Sequence, residues 1–173
     1  ARPDIIKAIC DMATHMTKWR RNDDKRLYRL ICYMACTSNM PVIGKVRDNP
    51  GDLKLLLFVD ADFAGGTDDA RSTSGGILVL AGPNTWFPLV WLCKRQPCTA
   101  RSTTEAEVVS LAHSLFEHAI PHLDLWDLVL GRKVDLYILE DNQATIAVVK
   151  RGYSNKLRST HRMFNIKVSS ITD

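Results

Sequence analysis

Leu53-Lys54-Leu55-Leu56-Leu57-Phe58-Val59 is apolar at every position but one, and it stops at Asp60-Ala61-Asp62. A run of this kind reads as a central strand covered on both faces of a sheet, and it is far too short to span a bilayer. The segments on its C-terminal side set the topology. A polar loop with Gly65, Gly66, Asp68 and Asp69 leads to a second strand, Gly75 to Ala81. Gly82-Pro83-Asn84 makes a turn, and Thr85 to Leu92 reads as a third strand. Pro88 within it cannot donate to a ladder, which places that strand at a sheet edge. Ser102-Thr103-Thr104-Glu105 is a capping-box pattern, with Ser102 as N-cap and Glu105 reaching back to its amide. It opens a long helix whose apolar face is Val108, Leu111, Ala112, Leu115, Phe116 and Ala119. Pro121 should kink or break this helix before it ends at Gly131, a C-cap. A fourth strand, Val134 to Leu139, and a helix from Asn142 to Lys150, stopped by Gly152, complete the order β-β-β-α-β-α. This is an α/β chain with a mixed sheet and helices packed on it.

The first 47 residues read differently, as two helices. Pro3 and Asp4 precede an apolar series from Ile5 to Met16 at helical spacing. Asn22 can cap the second helix, with Asp23 and Asp24 in its first turn and Leu27, Leu30, Ile31 and Met34 as its apolar stripe. Pro41 to Gly51 reads as a linker to the domain that starts at residue 53 and runs to 173. The start at Ala1-Arg2-Pro3, without Met, suggests a fragment or a processed product, and no secretory signal is visible. Five cysteines, an odd number with no paired C-x-x-C motifs, point to reduced thiols inside the cell and not to a disulfide framework or a zinc site.

Charge is unevenly distributed. Residues 1–47 carry ten Lys/Arg against four Asp/Glu, residues 48–141 seven against fourteen, and residues 142–173 six against one. An acidic centre between basic flanks suits a metal-dependent site that must hold a polyanion, although a solvated surface can look the same. Three of the central acids stand where strands end or a helix begins: Asp60, Glu107 and Asp141. If strands one and four are parallel neighbours joined through the long helix, their C-terminal ends lie side by side, where open α/β sheets place ligands. Clustered carboxylates repel unless a cation lies between them, and an all-oxygen set favours Mg²⁺ or Mn²⁺. Glu105 has its capping task, which leaves Glu107 as the ligand.

The words around these acids carry a resemblance. Phe58-Val59-Asp60-Ala61-Asp62-Phe63-Ala64-Gly65 resembles the "SDADWAG" segment of copia-type retrotransposon Pol polyproteins. Arg71-Ser72-Thr73-Ser74-Gly75-Gly76 is similar to that family's "KSTSGY". Lys94-Arg95-Gln96, with Ser102-Thr103-Thr104-Glu105-Ala106-Glu107, looks like its "KKQ…SSTEAEY", and Leu139-Glu140-Asp141-Asn142-Gln143-Ala144 like its "CDNQSA". Arg2-Pro3-Asp4-Ile5 and Lys25 to Leu30 resemble the stretch linking the reverse transcriptase to the ribonuclease H domain. The likeness covers residues 2–150. It implies a ribonuclease H-like sheet of strand order 3-2-1-4, and a hydrolase that cuts the RNA strand of an RNA–DNA hybrid. It also implies two Mg²⁺ or Mn²⁺ ions held by Asp60, Glu107 and Asp141. Arg71, Lys94, Arg95, Gln96 and Asn142 are the candidates for contacts with the hybrid, which would be gripped by phosphates and 2′-hydroxyls.

The sequence also departs from the family. The fourth acid, which the family carries on a helix after a fifth strand in an "AD-x-x-TK" word, has no counterpart before Asp173. Gly152 to Asp173 is too basic to supply a convincing fifth strand. A chain ending there would leave one metal position under-coordinated, and strand four would be an apolar edge needing a partner or a cap. The competing expectation is therefore a degenerate or domesticated domain acting as a non-catalytic structural or nucleic-acid-binding subunit of a larger assembly. A third, another polynucleotidyl transferase on the same superfold, fits the "STTEAE" and "EDNQA" words less well. An intracellular location, cytoplasmic or in a virus-like particle, completes the expectations.

Overall fold

The computed structural model describes residues 2–65, 69–152 and 171. The chain folds as two compact units, Ala1–Ile43 and Gly44–Asp173.

In the first unit a short 3-10 turn, Pro3–Ile5, runs into α1, Ile6–Ala13, and a second such turn, Met16–Lys18, precedes α2, Arg21–Cys36. The cap of α2 corrects the expectation for Asn22. Arg20 is the N-cap, and the buried Asp23 carboxylate accepts its amide at 2.9 Å, with His15 Nδ1 at 2.9 Å from the other oxygen. Within this unit the stripe of α2 is largely in solvent: Leu27, Ile31 and Met34 are exposed.

The second unit is built on a four-stranded sheet in the order β3-β2-β1-β4. β1 is Lys54–Asp62, β2 Thr73–Gly82, β3 Thr85–Arg95 and β4 Leu136–Leu139. β1 pairs antiparallel with β2 and parallel with β4, so the sheet is mixed. Pro88 lies on the edge strand β3, at a bulge where Leu89 has no counterpart between Leu78↔Val90 and Val79↔Pro88. β1 is not equally covered on its two faces. Leu55, Leu57, Val59 and Ala61 are buried, whereas Leu56 and Phe58 are half-buried. The buried face meets α3, Thr103–Ser114, through Val108, Leu111 and Ala112, together with Leu78 and Leu80 of β2.

α3 begins as its sequence dictates. Ser102 Oγ accepts the Glu105 amide at 3.1 Å, but Glu105 Oε2 reaches back to the amide of Arg101, at 2.7 Å, one residue beyond the expected partner. The proline is absorbed without a break. A π-helical turn, Leu115–Ala119, runs directly into α4, Ile120–Leu130, so the wider turn just before Pro121 accommodates the proline within a continuous helix. Phe116, inside that turn, is 41% exposed and does not join the apolar face. Gly131 closes α4 at φ 65°, the left-handed conformation a glycine adopts without strain. α5, Gln143–Arg151, is capped by Asn142 Oδ1, which accepts the amides of Ala144 and Thr145, and it ends at Gly152.

The stretch from Pro41 to Gly51, expected as a linker, is partly tied into the second unit. Lys45 bridges Trp86, and the Arg47 and Asp48 amides donate to Thr85 Oγ1. Whether strand four is paired or capped, as expected, is not decided within the described residues. β4 ends the sheet, nothing among the described residues pairs with its outer edge, and Tyr137, Ile138 and Leu139 are 50%, 40% and 40% exposed. The expected lack of a fifth strand after Gly152 falls outside the described residues, apart from Ile171, which is buried with the core. No helix among the described residues is long and apolar enough to cross a membrane.

Candidate metal centre

The parallel pairing of β1 with β4 ends at Phe58↔Leu139, and continuing that register by two residues sets Asp60 against Asp141. The third carboxylate comes from above. α3 lies across the buried face of β1, and Glu107, in its second turn, points inward with Ser110, Leu111 and Ser114 at helical spacing. One carboxylate oxygen from each of Asp60, Glu107 and Asp141 lies within 4.8 Å of the others. Asp60 and Asp141 are exposed and Glu107 is 4% exposed, so the centre has a buried wall and an open mouth.

Polar ties fix the helix to the sheet beside these acids. Ser110 Oγ donates to the carbonyl of Asp60 at 2.7 Å or, at 3.1 Å, to that of Gly75. Gln96 Nε2 donates to the Ala106 carbonyl at 2.9 Å and to Ser74 Oγ at 3.0 Å, joining the ends of β3 and β2 to the first turn of α3. Gln96 is 2% exposed, so it braces the centre from inside and is no surface contact for a polymer. Asn142 holds α5 beside Asp141 by its cap.

Electrostatics around Glu107 are those of an acid kept from water among like charges. Burial, followed by the charges of Glu140, Asp60 and Asp141, pushes its carboxyl up to about 7, against the pull of a hydrogen bond from the Ala61 backbone. Its Oε2 is shielded from solvent and has no hydrogen-bond partner among the described residues. An orphaned oxygen there, in a set of hard oxygen donors, fits a divalent cation. Glu140, the residue before Asp141, lies outside that group of three. Burial pushes it up as well, ahead of Asp141 and Asp60 and against the Asn142 amide. In the sequence Glu140 is only one letter of a motif whose acid Asp141 already explains, so nothing in the one-dimensional pattern singles it out.

The basic candidates lie at the same end of the sheet, because Asp62 pairs with Thr73 and Thr73 with Arg95. Arg71 and Arg95 both reach Asp69, Arg71 at 3.3 Å, and Lys94 Nζ is 3.6 Å from Glu117. Asp69, a plain loop residue by its sequence, organises the two arginines; the β2–β3 register that brings them together is not visible in sequence.

Residues of this chain align at 34% identity over 116 positions with a retrovirus-related Pol polyprotein from the transposon RE1 of Arabidopsis thaliana, covering 67% of this chain and 7% of that one. A segment of a retrotransposon Pol polyprotein fits this chain. The Pol polyprotein from transposon RE2 of the same plant matches at 34% over 116 residues, 67% of this chain and 8% of its own length. An uncharacterized mitochondrial protein of Arabidopsis thaliana matches at 34% over 111 residues, 64% of this chain and 43% of its own. The chain thus spans less than a tenth of the length of the two Pol polyproteins. No family model matches the sequence, and no solved structure matches it.

Proposed function

We propose that this chain is a ribonuclease H-type nuclease segment of a retroelement Pol polyprotein, hydrolysing the RNA strand of RNA–DNA hybrids with Mg²⁺ or Mn²⁺. The observation that carries this reading is the convergence of Asp60, Glu107 and Asp141 at the C-terminal ends of two parallel strands and the start of one helix. The sheet order, with a mixed sheet and flanking helices, is compatible with a ribonuclease H-like fold.

Asp60, Glu107 and Asp141 would hold the divalent ions, whose chemistry there would be activation of a water and stabilisation of the leaving 3′-oxygen. The chain's own residues supply the rest. Glu107 is held by the buried face of α3, so its oxygen cannot swing away, and Asp60 and Asp141 stand at the mouth where a phosphodiester can approach. The side chains of Arg71 and Lys94, 44% and 50% exposed, provide a cationic rim for phosphates, and Arg95 shares Asp69 with Arg71. No base-reading is implied, so the substrate is recognised by its backbone.

The test is cleavage of an end-labelled RNA–DNA hybrid in Mg²⁺ and in Mn²⁺, with Asp60→Asn in parallel. The reading expects cleavage by the parent chain and a loss of at least a hundredfold in the variant. A parent chain that binds hybrid without cutting it, equally with or without Asp60, would favour the non-catalytic subunit, a role that the outer edge of β4, unpaired among the described residues, also suits.

A further inference from the structure

α3 covers one face of the sheet, and the face turned away from it is rich in aromatic rings. Residues paired directly across strands stand on the same side of a sheet. Phe58 of β1 therefore shares the face turned away from α3 with Leu139 of β4 and Ile77 of β2, and two residues earlier Leu56 shares it with Tyr137. Through Lys54↔Ala81 and Ala81↔Trp86, the same face carries Lys54 and Trp86. The bridge between Trp86 and Lys45 adds a second lysine to that side.

These side chains are open to solvent. Trp86 is 51% exposed and Tyr137 50%. The Trp86 ring stands 6.0 Å from that of Phe58 but tilted by 55°, so the two do not use up their faces on one another. Lys54 Nζ lies 4.9 Å from the centre of the Tyr137 ring, which sets a cation beside it. Neither Lys45 nor Lys54 is paired with a carboxylate among the described residues. Exposed rings beside unneutralised ammonium groups match a single-stranded polynucleotide, whose bases need π surface and whose phosphates need cations. A duplex keeps its base faces inside its own stack and can use only the cations. A second copy of the chain would bring the same lysines to this face and no anion to meet them.

We propose that the sheet face turned away from α3 is a docking platform for single-stranded nucleic acid, with bases stacked on Trp86 and Tyr137 and phosphates met by Lys45 and Lys54. The platform uses no metal ion and no carboxylate, so it stands apart from the nuclease reading. It holds a strand without reading its sequence, because every base offers a π face.

The experiment is fluorescence anisotropy of the whole chain with labelled oligo(dT) and oligo(rU) of about 12 nucleotides, against a duplex of the same length. EDTA is present throughout, so that the carboxylate centre contributes no ion. The parent should bind the single strands more tightly than the duplex. Trp86→Ala and Tyr137→Ala should each weaken that binding roughly tenfold, and Trp86→Phe should keep most of it. Lys54→Gln should lower the salt dependence of binding. Circular dichroism verifies each fold, and Tyr137→Ala with Trp86→Phe carries the test if Trp86→Ala is misfolded. A duplex bound as tightly as the single strands, or ring variants that bind like the parent, overturns the platform. So does sedimentation showing a dimer that Trp86→Ala dissolves and oligonucleotides leave intact, which gives the face to a second copy.

Discussion

At Gly76, where α3 packs on β2, an added Cβ would stand 2.6 Å from Ser114 Oγ and 3.4 Å from Ser114 Cβ. The absent side chain is what allows the helix carrying Glu107 to approach the sheet closely. Gly76→Ala should therefore cost about 1–3 kcal/mol, the usual penalty of overpacking a tight interior. Urea unfolding monitored by fluorescence reads this directly. Adding Ser114→Ala should return much of the loss, since only the hydroxyl lies under 3 Å; a double variant no more stable than the single would show that the strain arises elsewhere. The same interface carries the Ser110 and Gln96 hydrogen bonds, so residues that touch no ligand determine where the acids stand.

Elements are joined at their ends by a few charged side chains. Asp127, near the end of α4, accepts the Val134 amide at 2.7 Å and holds Lys133 Nζ at 2.7 Å, tying the helix to the approach of β4. Lys133, followed by the Val134 amide, keeps the Asp127 carboxyl below its ordinary range. A carboxylate with a lowered folded-state pKa stabilises above its unfolded value, near 3.9, and loses that contribution as pH falls through the folded one. Asp127→Asn should thus lower the melting temperature at neutral pH, and the gap from the parent should narrow as pH drops below about 4. A gap that stays constant through acid would mean that the charge is irrelevant and only shape matters. The exposed lysine makes this a modest effect, smaller in salt.

For the sheet-bearing unit as a whole, the open side of the sheet is the feature with consequences in solution. Among the described residues nothing pairs with the outer edge of β4, which presents three half-exposed apolar side chains, Tyr137, Ile138 and Leu139. Such an edge is a template for pairing with another strand. Ile138→Lys should reduce concentration-dependent association seen by light scattering while leaving the melting temperature nearly unchanged. Equal scattering from parent and variant would show that the edge is not what associates.

What the sequence by itself determined was local. The apolar run of β1, the Ser102 cap, the glycine stops and the edge placement of Pro88 all arise from short-range chemistry: each depends on backbone hydrogen bonds and φ preferences within a few residues. Asp60, Glu107 and Asp141 were legible because strand ends and a helix start mark them. Tertiary structure decided the rest. The cap of α2 moved to Arg20 because a buried Asp23, with His15 beside it, serves the amide better than Asn22 could. Gln96 turned inward because three elements meet around it, and Arg71 and Arg95 were drawn to one aspartate by the β2–β3 register.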